Sequence, residues 1–266
     1  ASRLYNRPTA VLSAGLLASS GVLADYATNA RGYTLIALFA LLALALGAEV
    51  RARKNRFAWL LLIIVSALGF YTIPIMLYPF GLVFTWLFLS ALVGDVDPRY
   101  GRWGFIGYLI AAGLLTGLLS ALLYTPVFLT SGVQSLVGNG FVTAEEWGSF
   151  SETIFLRFRN TWRNWAQLMP LNLLLVMAFG LLAGLIFHRK AAAYRVPVPL
   201  AALLWIATVL LLQRVTPWPR IWFFLLPMFL LFGSAGLVYL LEQVRGRLVA
   251  DPMPRLAPMA AGLALL

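Results

Sequence analysis

The sequence predicts an all-α protein, a polytopic transmembrane helical bundle of about eight spans with one amphipathic helix at the membrane interface. Of its 266 residues, 62% are hydrophobic and only 11% are charged, whereas soluble domains carry about 25% charged residues. A soluble globule of this size could not bury so much apolar surface. The apolar residues also form continuous runs instead of alternating, which excludes a transmembrane β-barrel.

Each predicted span is a run that can cross a bilayer core of about 30 Å, which takes about 20 apolar residues. The runs are 8–24, 33–50, 57–76, 78–93, 103–127, 168–188, 197–213 and 221–241. A ninth run begins near 257. Because the chain starts at Ala1 and stops inside this run, we expect an internal fragment of a longer protein, with one transmembrane domain over 1–266.

The positive charges predict the orientation of these spans. With the N-terminus inside, the cytoplasmic connections receive 14 of the 20 lysines and arginines, in agreement with the positive-inside trend. The net charge of +11 therefore reports topology, and we expect no nucleic-acid partner. The expected location is the cell membrane, with the functional face on the periplasmic or extracellular side.

Several kinds of chemistry are excluded by composition. The chain has no cysteine and a single histidine, His188, which rules out thiolate chemistry and histidine-rich metal sites. No glycine-rich phosphate loop, HExxH or GxSxG motif is present. Ionisable groups at mid-depth are typical of ion-coupled carriers. Four runs hold no charged residue at all, which argues against an ion-coupled carrier: 103–127, 168–187, 197–213 and 221–241.

The first outer connection joins two spans and carries an arginine at the apolar boundary. It runs from Asp25 through Tyr26, Asn29 and Arg31 to Tyr33. A charge at this depth needs a partner. Arg31 either pairs with Asp25 or offers its planar guanidinium to a phosphate.

The longest outer connection, 128–167, contains a predicted amphipathic helix at about 144–165. Thr143 and Glu146 form a candidate capping box at its start. One stripe of this helix is apolar and mostly aromatic: Trp147, Phe150, Ile154, Phe158, Trp162 and Trp165. The opposite side carries Glu152, Arg159 and Arg163. Such a helix either packs onto the bundle in the interface or roofs a cavity that opens for a substrate.

Two further outer connections carry polar candidates. Arg214 and Arg220 flank a turn stiffened by two prolines, and either lipid headgroups or a phosphate-bearing substrate would compensate their charge. Tyr71 and Tyr78 lie beside prolines at another outer boundary. They face a polar cavity or belong to the aromatic belt of the interface.

These segments resemble the membrane-embedded GT-C glycosyltransferases, above all family 39-type proteins of the bacterial RgtA/B/C/D-like group, relatives of protein mannosyltransferases and aminoarabinose transferases. The resemblance is carried by the order of four outer-face segments along nearly the whole chain. They are 26–33, 69–74 with 78–79, 124–132 and 219–227.

The resemblance implies hexosyl or pentosyl transfer from a polyprenyl-phosphate donor, at the exoplasmic face, to an acceptor that is a glycan, a lipid or a protein. It places the main general base upstream of Ala1, so the fragment alone is expected to be inactive. Asn29 stands where family members often carry an acidic residue, and Asp25 is the candidate catalytic substitute. No cofactor is assigned, and a divalent metal is left open.

The candidate donor phosphate-binding residues are Arg31, Arg214 and Arg220. The residues expected to line the same cavity are Tyr26, Asn29, Tyr33, Tyr71 and Tyr78. An alternative is a lipid or sugar-lipid carrier without transferase chemistry.

Overall fold

The computed structural model describes residues 1–28, 32–132 and 144–250, with the side chains of 247–250 left out. All regular elements in these ranges are helical. The α-helices are α1 (Arg7–Ala18), α2 (Gly21–Thr28), α3 (Tyr33–Ala52), α4 (Arg56–Thr72), α5 (Leu77–Leu92), α6 (Arg102–Ser131), α7 (Trp147–Leu168), α8 (Leu171–Ile186), α9 (His188–Ala191), α10 (Val198–Gln213) and α11 (Leu225–Ala250). Short 3₁₀ segments cover Pro74–Met76, Pro98–Tyr100 and Pro219–Phe224.

Four helical segments within the described ranges are long and apolar enough to cross a membrane: Tyr33–Ala52, Pro74–Leu92, Arg102–Ser131 and Pro219–Gly246. The pair α1 and α2, bent by 53°, gives a fifth candidate if it counts as one broken span. The chain is thus a membrane protein that is all-helical within the described ranges and has four to five candidate spans there.

The count of eight spans is not confirmed. α4, α8 and α10 coincide with predicted runs but have only 17, 16 and 16 residues. Prolines limit their length, because a proline lacks the backbone donor that continues a helix and disfavours helical backbone before it. Pro74 follows the end of α4, and Pro170 and Pro197 directly precede α8 and α10.

Helix α6 extends into the start of the segment 128–167, which the sequence predicts as a long connection with an amphipathic helix. α6 continues to Ser131 instead of ending near 127, and the Thr130 hydroxyl donates a 2.8 Å hydrogen bond to the Pro126 carbonyl. α7 starts at Trp147, later than the predicted 144, and its N-cap Glu146 makes no side-chain capping bond. Thr143, the other half of the predicted capping box, lies outside the described residues.

A glycine seam joins α8 to α11. It consists of Gly180 and Gly184 on α8 and Gly233 and Gly236 on α11. A Cβ atom at Gly233 would lie 2.6 Å from the carbonyl oxygen of Met177, so only glycine allows the two backbones to approach this closely. The seam fixes α11 and, with it, the Pro219–Phe224 segment that leads directly into this helix.

Different connecting segments lie at the two ends of the helical bundle. At one end, Arg51 forms a 3.0 Å ion pair with Asp95, and the backbone amide of Ala193 donates to the carbonyl of Leu4 at 3.1 Å. These contacts unite stretches 1–6, 51–56, 93–101 and 187–197, which are the predicted cytoplasmic connections. The other end brings together α2, α7 and the Pro219–Phe224 segment.

Candidate functional site

A polar cavity of about 430 Å³ lies at this second end, between α2, α7 and the turn that leads into α11. Three arginines line it: Arg157 and Arg163 from α7, and Arg220 from the turn. No carboxylate is among the described lining residues. The cavity therefore concentrates positive charge, which suits an anionic ligand.

The sequence of α7 explains why it presents a polar face here. The lining positions 157, 160, 163, 164 and 167 fall within an arc of about 120° at 100° per residue. Trp165, about 80° beyond the edge of this arc at 100° per residue, is buried. α7 is thus amphipathic with its polar face turned to the cavity and part of its aromatic stripe turned to the bundle.

Arg157 is held by an aromatic platform. Its guanidinium carbon lies 3.6 Å from the centroid of the Trp218 ring, a cation–π geometry. Its Nε atom is buried and has no hydrogen-bond partner within the described chain. Pro217 and Pro219 restrict the backbone on either side of Trp218, so the platform keeps its position.

Tyr26 and Arg220 bring the first and last predicted outer connections together. Tyr26 lines the cavity with Arg220, and its ring stacks on Phe223 with centroids 4.2 Å apart and planes 11° apart. Tyr33 contacts Tyr26 edge-on at 6.3 Å without lining the cavity itself.

Arg214 does not line this cavity. It takes a left-handed backbone conformation with φ 50°, and its guanidinium carbon lies 5.6 Å from the centroid of the Trp147 ring. Its carbonyl accepts a 2.8 Å hydrogen bond from the amide of Glu145, whose carboxylate accepts one from the Thr216 hydroxyl. Arg214 thus stabilises the junction between the α10–α11 turn and the start of α7.

The other predicted site residues are dispersed or lie outside the described residues. Asp25 is exposed on α2 next to Tyr26, while Asn29 and Arg31 are not described. Tyr71 is 48% exposed and meets Tyr124 edge-on at 5.6 Å. Tyr78 is only 6% exposed and packs against Trp222 at 5.2 Å. Neither of these two tyrosines lines the cavity.

An apolar groove of about 280 Å³ lies on the aromatic side of α7. Phe158 and Trp222, whose rings stack at 5.6 Å, form part of its wall with Phe229. The rest of the wall comes from Trp165 of α7 and from apolar side chains of α8, α10 and α11. α7 and the turn that carries Arg220 therefore contribute to both a cationic cavity and an apolar groove.

Four residues of α7 that line the cavity were not predicted as candidates from the sequence: Arg157, Asn160, Asn164 and Gln167. Of the three residues assigned to the polar side of the helix, only Arg163 lines the cavity. The one signal in the sequence was the recurrence of polar residues at spacings of three and four from 157 to 167, which a solvent-exposed helix face would show equally well.

No group of three or more acidic or histidine side chains suited to a metal ion occurs among the described residues, 1–28, 32–132 and 144–250. No family model, no curated protein and no solved structure matches the chain. The helical fold of the described residues and the apolar helices long enough to span a bilayer define it as a helical membrane protein.

Proposed function

We propose that the chain is part of a GT-C-type membrane glycosyltransferase, which transfers a sugar from a polyprenyl-phosphate donor to an acceptor at the exoplasmic face. The observation that carries the proposal is the cavity lined by Arg157, Arg163 and Arg220, next to an apolar groove that shares α7 with it. A donor of this class has the same two parts, a phosphate and a long hydrocarbon chain.

The cationic cavity suits the chemistry of the transfer. The acceptor hydroxyl oxygen forms a bond to the anomeric carbon, the bond from that carbon to the phosphate oxygen breaks, and the phosphate leaves with the electron pair. Negative charge grows on the phosphate, and fixed guanidinium groups stabilise it. The hydroxyl proton passes to a carboxylate, either Asp25 or the upstream residue that the family resemblance implies.

The groove suits the hydrocarbon chain of the donor. Its wall is almost wholly apolar and includes Trp165, Trp222 and Phe229. Burial of a methylene group contributes about 0.8 kcal/mol, so even a short buried part of a prenyl chain would add to the affinity. The remainder of the chain would stay in the bilayer.

The proposal includes a membrane frame. We take all eight apolar runs as spans, with the short helices α4, α8 and α10 completed by their flanking residues, and α7 as the interfacial helix. The four connections gathered around Arg51 and Asp95 then face the cytoplasm, and the cavity faces the periplasm or the exterior. The positive-inside distribution of lysine and arginine supports this orientation.

A lipid or sugar-lipid carrier is the second candidate. It is favoured by the lack of a carboxylate among the described lining residues, since a carrier needs an anion site but no general base. Proteoliposomes that contain the full-length protein separate the two functions. A carrier moves a labelled prenyl phosphate sugar across the bilayer intact, whereas a transferase releases prenyl phosphate when acceptor is present.

Binding of prenyl phosphate in lipid nanodiscs tests the donor site. A hydrogen bond to a charged group contributes about 1.5–3 kcal/mol, and about 1.4 kcal/mol is a tenfold change. We expect Arg220→Ala to weaken binding of a C15 prenyl phosphate at least tenfold and Arg220→Lys to restore part of it.

Arg214→Ala is the matched control, because Arg214 carries the same charge in the same turn but faces Trp147. We expect it to change the affinity less than threefold. Prenol without phosphate, inorganic phosphate and phosphatidylglycerol are the ligand controls. Equal effects of the two alanine variants, or equally tight binding of phosphatidylglycerol, would contradict the proposed donor site.

A further inference from the structure

A row of three carboxamides runs along the cavity face of α7: Asn160, Asn164 and Gln167. Their spacings of four and three place them on one side of the helix. Asn160 is half-buried and Asn164 and Gln167 are exposed, and none of their side chains makes a hydrogen bond to another residue in the described part of the chain. The amide row is therefore available to a ligand.

The chemistry of the amide row differs from that of the three arginines. A guanidinium group only donates hydrogen bonds, while a carboxamide offers two donor hydrogens and an acceptor oxygen. An anion accepts hydrogen bonds and gains nothing from added acceptors. A hydroxyl group both donates and accepts, so the row is suited to a ligand part that carries several hydroxyl groups.

The position of the row fits such a ligand. From Asn160 to Gln167 the helix rises about 10 Å at 1.5 Å per residue, so more than one hydroxyl can be contacted. Arg157 and Arg163 lie on the same helix, one turn or less from Asn160. Trp218 is 44% exposed beside them; one face of its ring carries the Arg157 guanidinium, which leaves the opposite face and the ring edge for contact with the carbon face of a sugar ring.

We propose that the amide row is the glycosyl subsite, and that Asn160, Asn164 and Gln167 position the sugar while the arginines hold its phosphate. This inference rests on the proposed function. It assigns sugar specificity to α7, the helix that the sequence identifies chiefly by its apolar and mostly aromatic stripe.

The test compares prenyl phosphates with and without a sugar. We would measure binding of a C15 prenyl phosphate and of its glucosyl, galactosyl, mannosyl and arabinosyl derivatives to the protein in nanodiscs. In the double variant Asn160→Leu/Asn164→Leu, we expect at least a tenfold loss for one or more glycosylated probes and less than a twofold change for the bare phosphate. Asn164→Gln, which keeps the amide, should retain most of the affinity.

Asn172→Leu is the matched control, because Asn172 is an exposed asparagine at the start of α8 and does not line the cavity. It should leave all affinities unchanged. The inference is wrong if the double variant changes the bare and glycosylated probes by the same factor for every sugar, or changes none of them.

The two proposals fail separately in this experiment. If Arg220→Ala leaves the bare phosphate unaffected while the asparagine variants still remove sugar-dependent affinity, the phosphate site is wrong and the glycosyl subsite stands. If Arg220→Ala weakens every probe and the asparagine variants act on none selectively, the phosphate site stands and the amide row has no role in sugar binding.

Discussion

Replacing Gly236 by alanine tests the packing of α8 against α11. The added Cβ atom would overlap the carbonyl oxygen of Gly180 and would lie 2.5 Å from the backbone nitrogen of Gly184. Ordinary contacts begin near 3.4 Å, so the helices must separate by about 0.9 Å or more. Both obstructing atoms are backbone, and no side-chain rotation can relieve the overlap.

We expect Gly236→Ala to lower the free energy of unfolding by about 2 kcal/mol, since overpacking costs about 1–3 kcal/mol. Gly117→Ala is the control. Gly117 lies in α6, and a Cβ atom added there would have nothing within 4 Å. Alanine is moreover favoured over glycine in a helix by about 0.8–1 kcal/mol.

The assay is unfolding in mixed micelles with increasing SDS, followed by tryptophan fluorescence. Gly117→Ala should be as stable as the parent protein or slightly more stable. Equal stability of the two variants would contradict the close packing of α8 against α11 at Gly236. The same glycine-to-alanine change would then have the same effect at an open and at a tightly packed position.

Two further predictions concern the opposite end of the bundle. Arg51→Met should lower the free energy of unfolding by about 3 kcal/mol, because it leaves Asp95 without its buried partner. Arg53→Met, on the exposed surface, should change the free energy of unfolding little. Equal losses of stability in SDS unfolding would contradict a buried ion pair. Hydrogen bonds from Arg99 hold the pKa of Asp97 well below its ordinary value. The ionised Asp97 carboxylate therefore stabilises the folded state fully above about pH 4, and this stabilisation is lost as the pH falls through the lowered pKa. Asp97→Asn should therefore reduce stability at pH 7 and flatten its decline between about pH 4 and pH 2; an unchanged pH profile would contradict the assignment.

The helices could largely be predicted because apolar runs mark them directly. Each of the eight runs contains a helix, but the ends depend on local chemistry that hydropathy does not register. Pro170 is the N-cap of α8, and a proline disfavours helical backbone in the residue before it, here Met169. At Pro126 the helix nevertheless continues, and the following residues Val127–Leu129 remain apolar and helical.

The site could be predicted only in part. Tyr26 and Arg220 line one cavity, as the sequence predicted for both. Arg214 was predicted to line the same cavity but does not, although it is only six residues from Arg220. Its left-handed backbone and its contact with Trp147 are tertiary features without a sequence signature. The amide row was missed because periodicity identifies a polar helix face but not what that face meets.

The clustering of three arginines at the cavity suits an anionic ligand. The three salt bridges within the described ranges pair Arg3 with Glu49, Arg51 with Asp95 and Arg99 with Asp97, and all lie at the end opposite the cavity. Arg157, Arg163 and Arg220 share one cavity without an ion pair to any described residue. Arg163 and Arg220 are exposed and Arg157 is half-buried, so water solvates these charges, while an anion bound among them would gain charge-assisted hydrogen bonds from all three. Arginines such as Arg53 and Arg102 at the opposite end likewise have no ion pair among the described residues, so the cavity differs from that end in holding three arginines around one hollow. Under the proposed function, a lipid-linked phosphate would supply the charge that balances them.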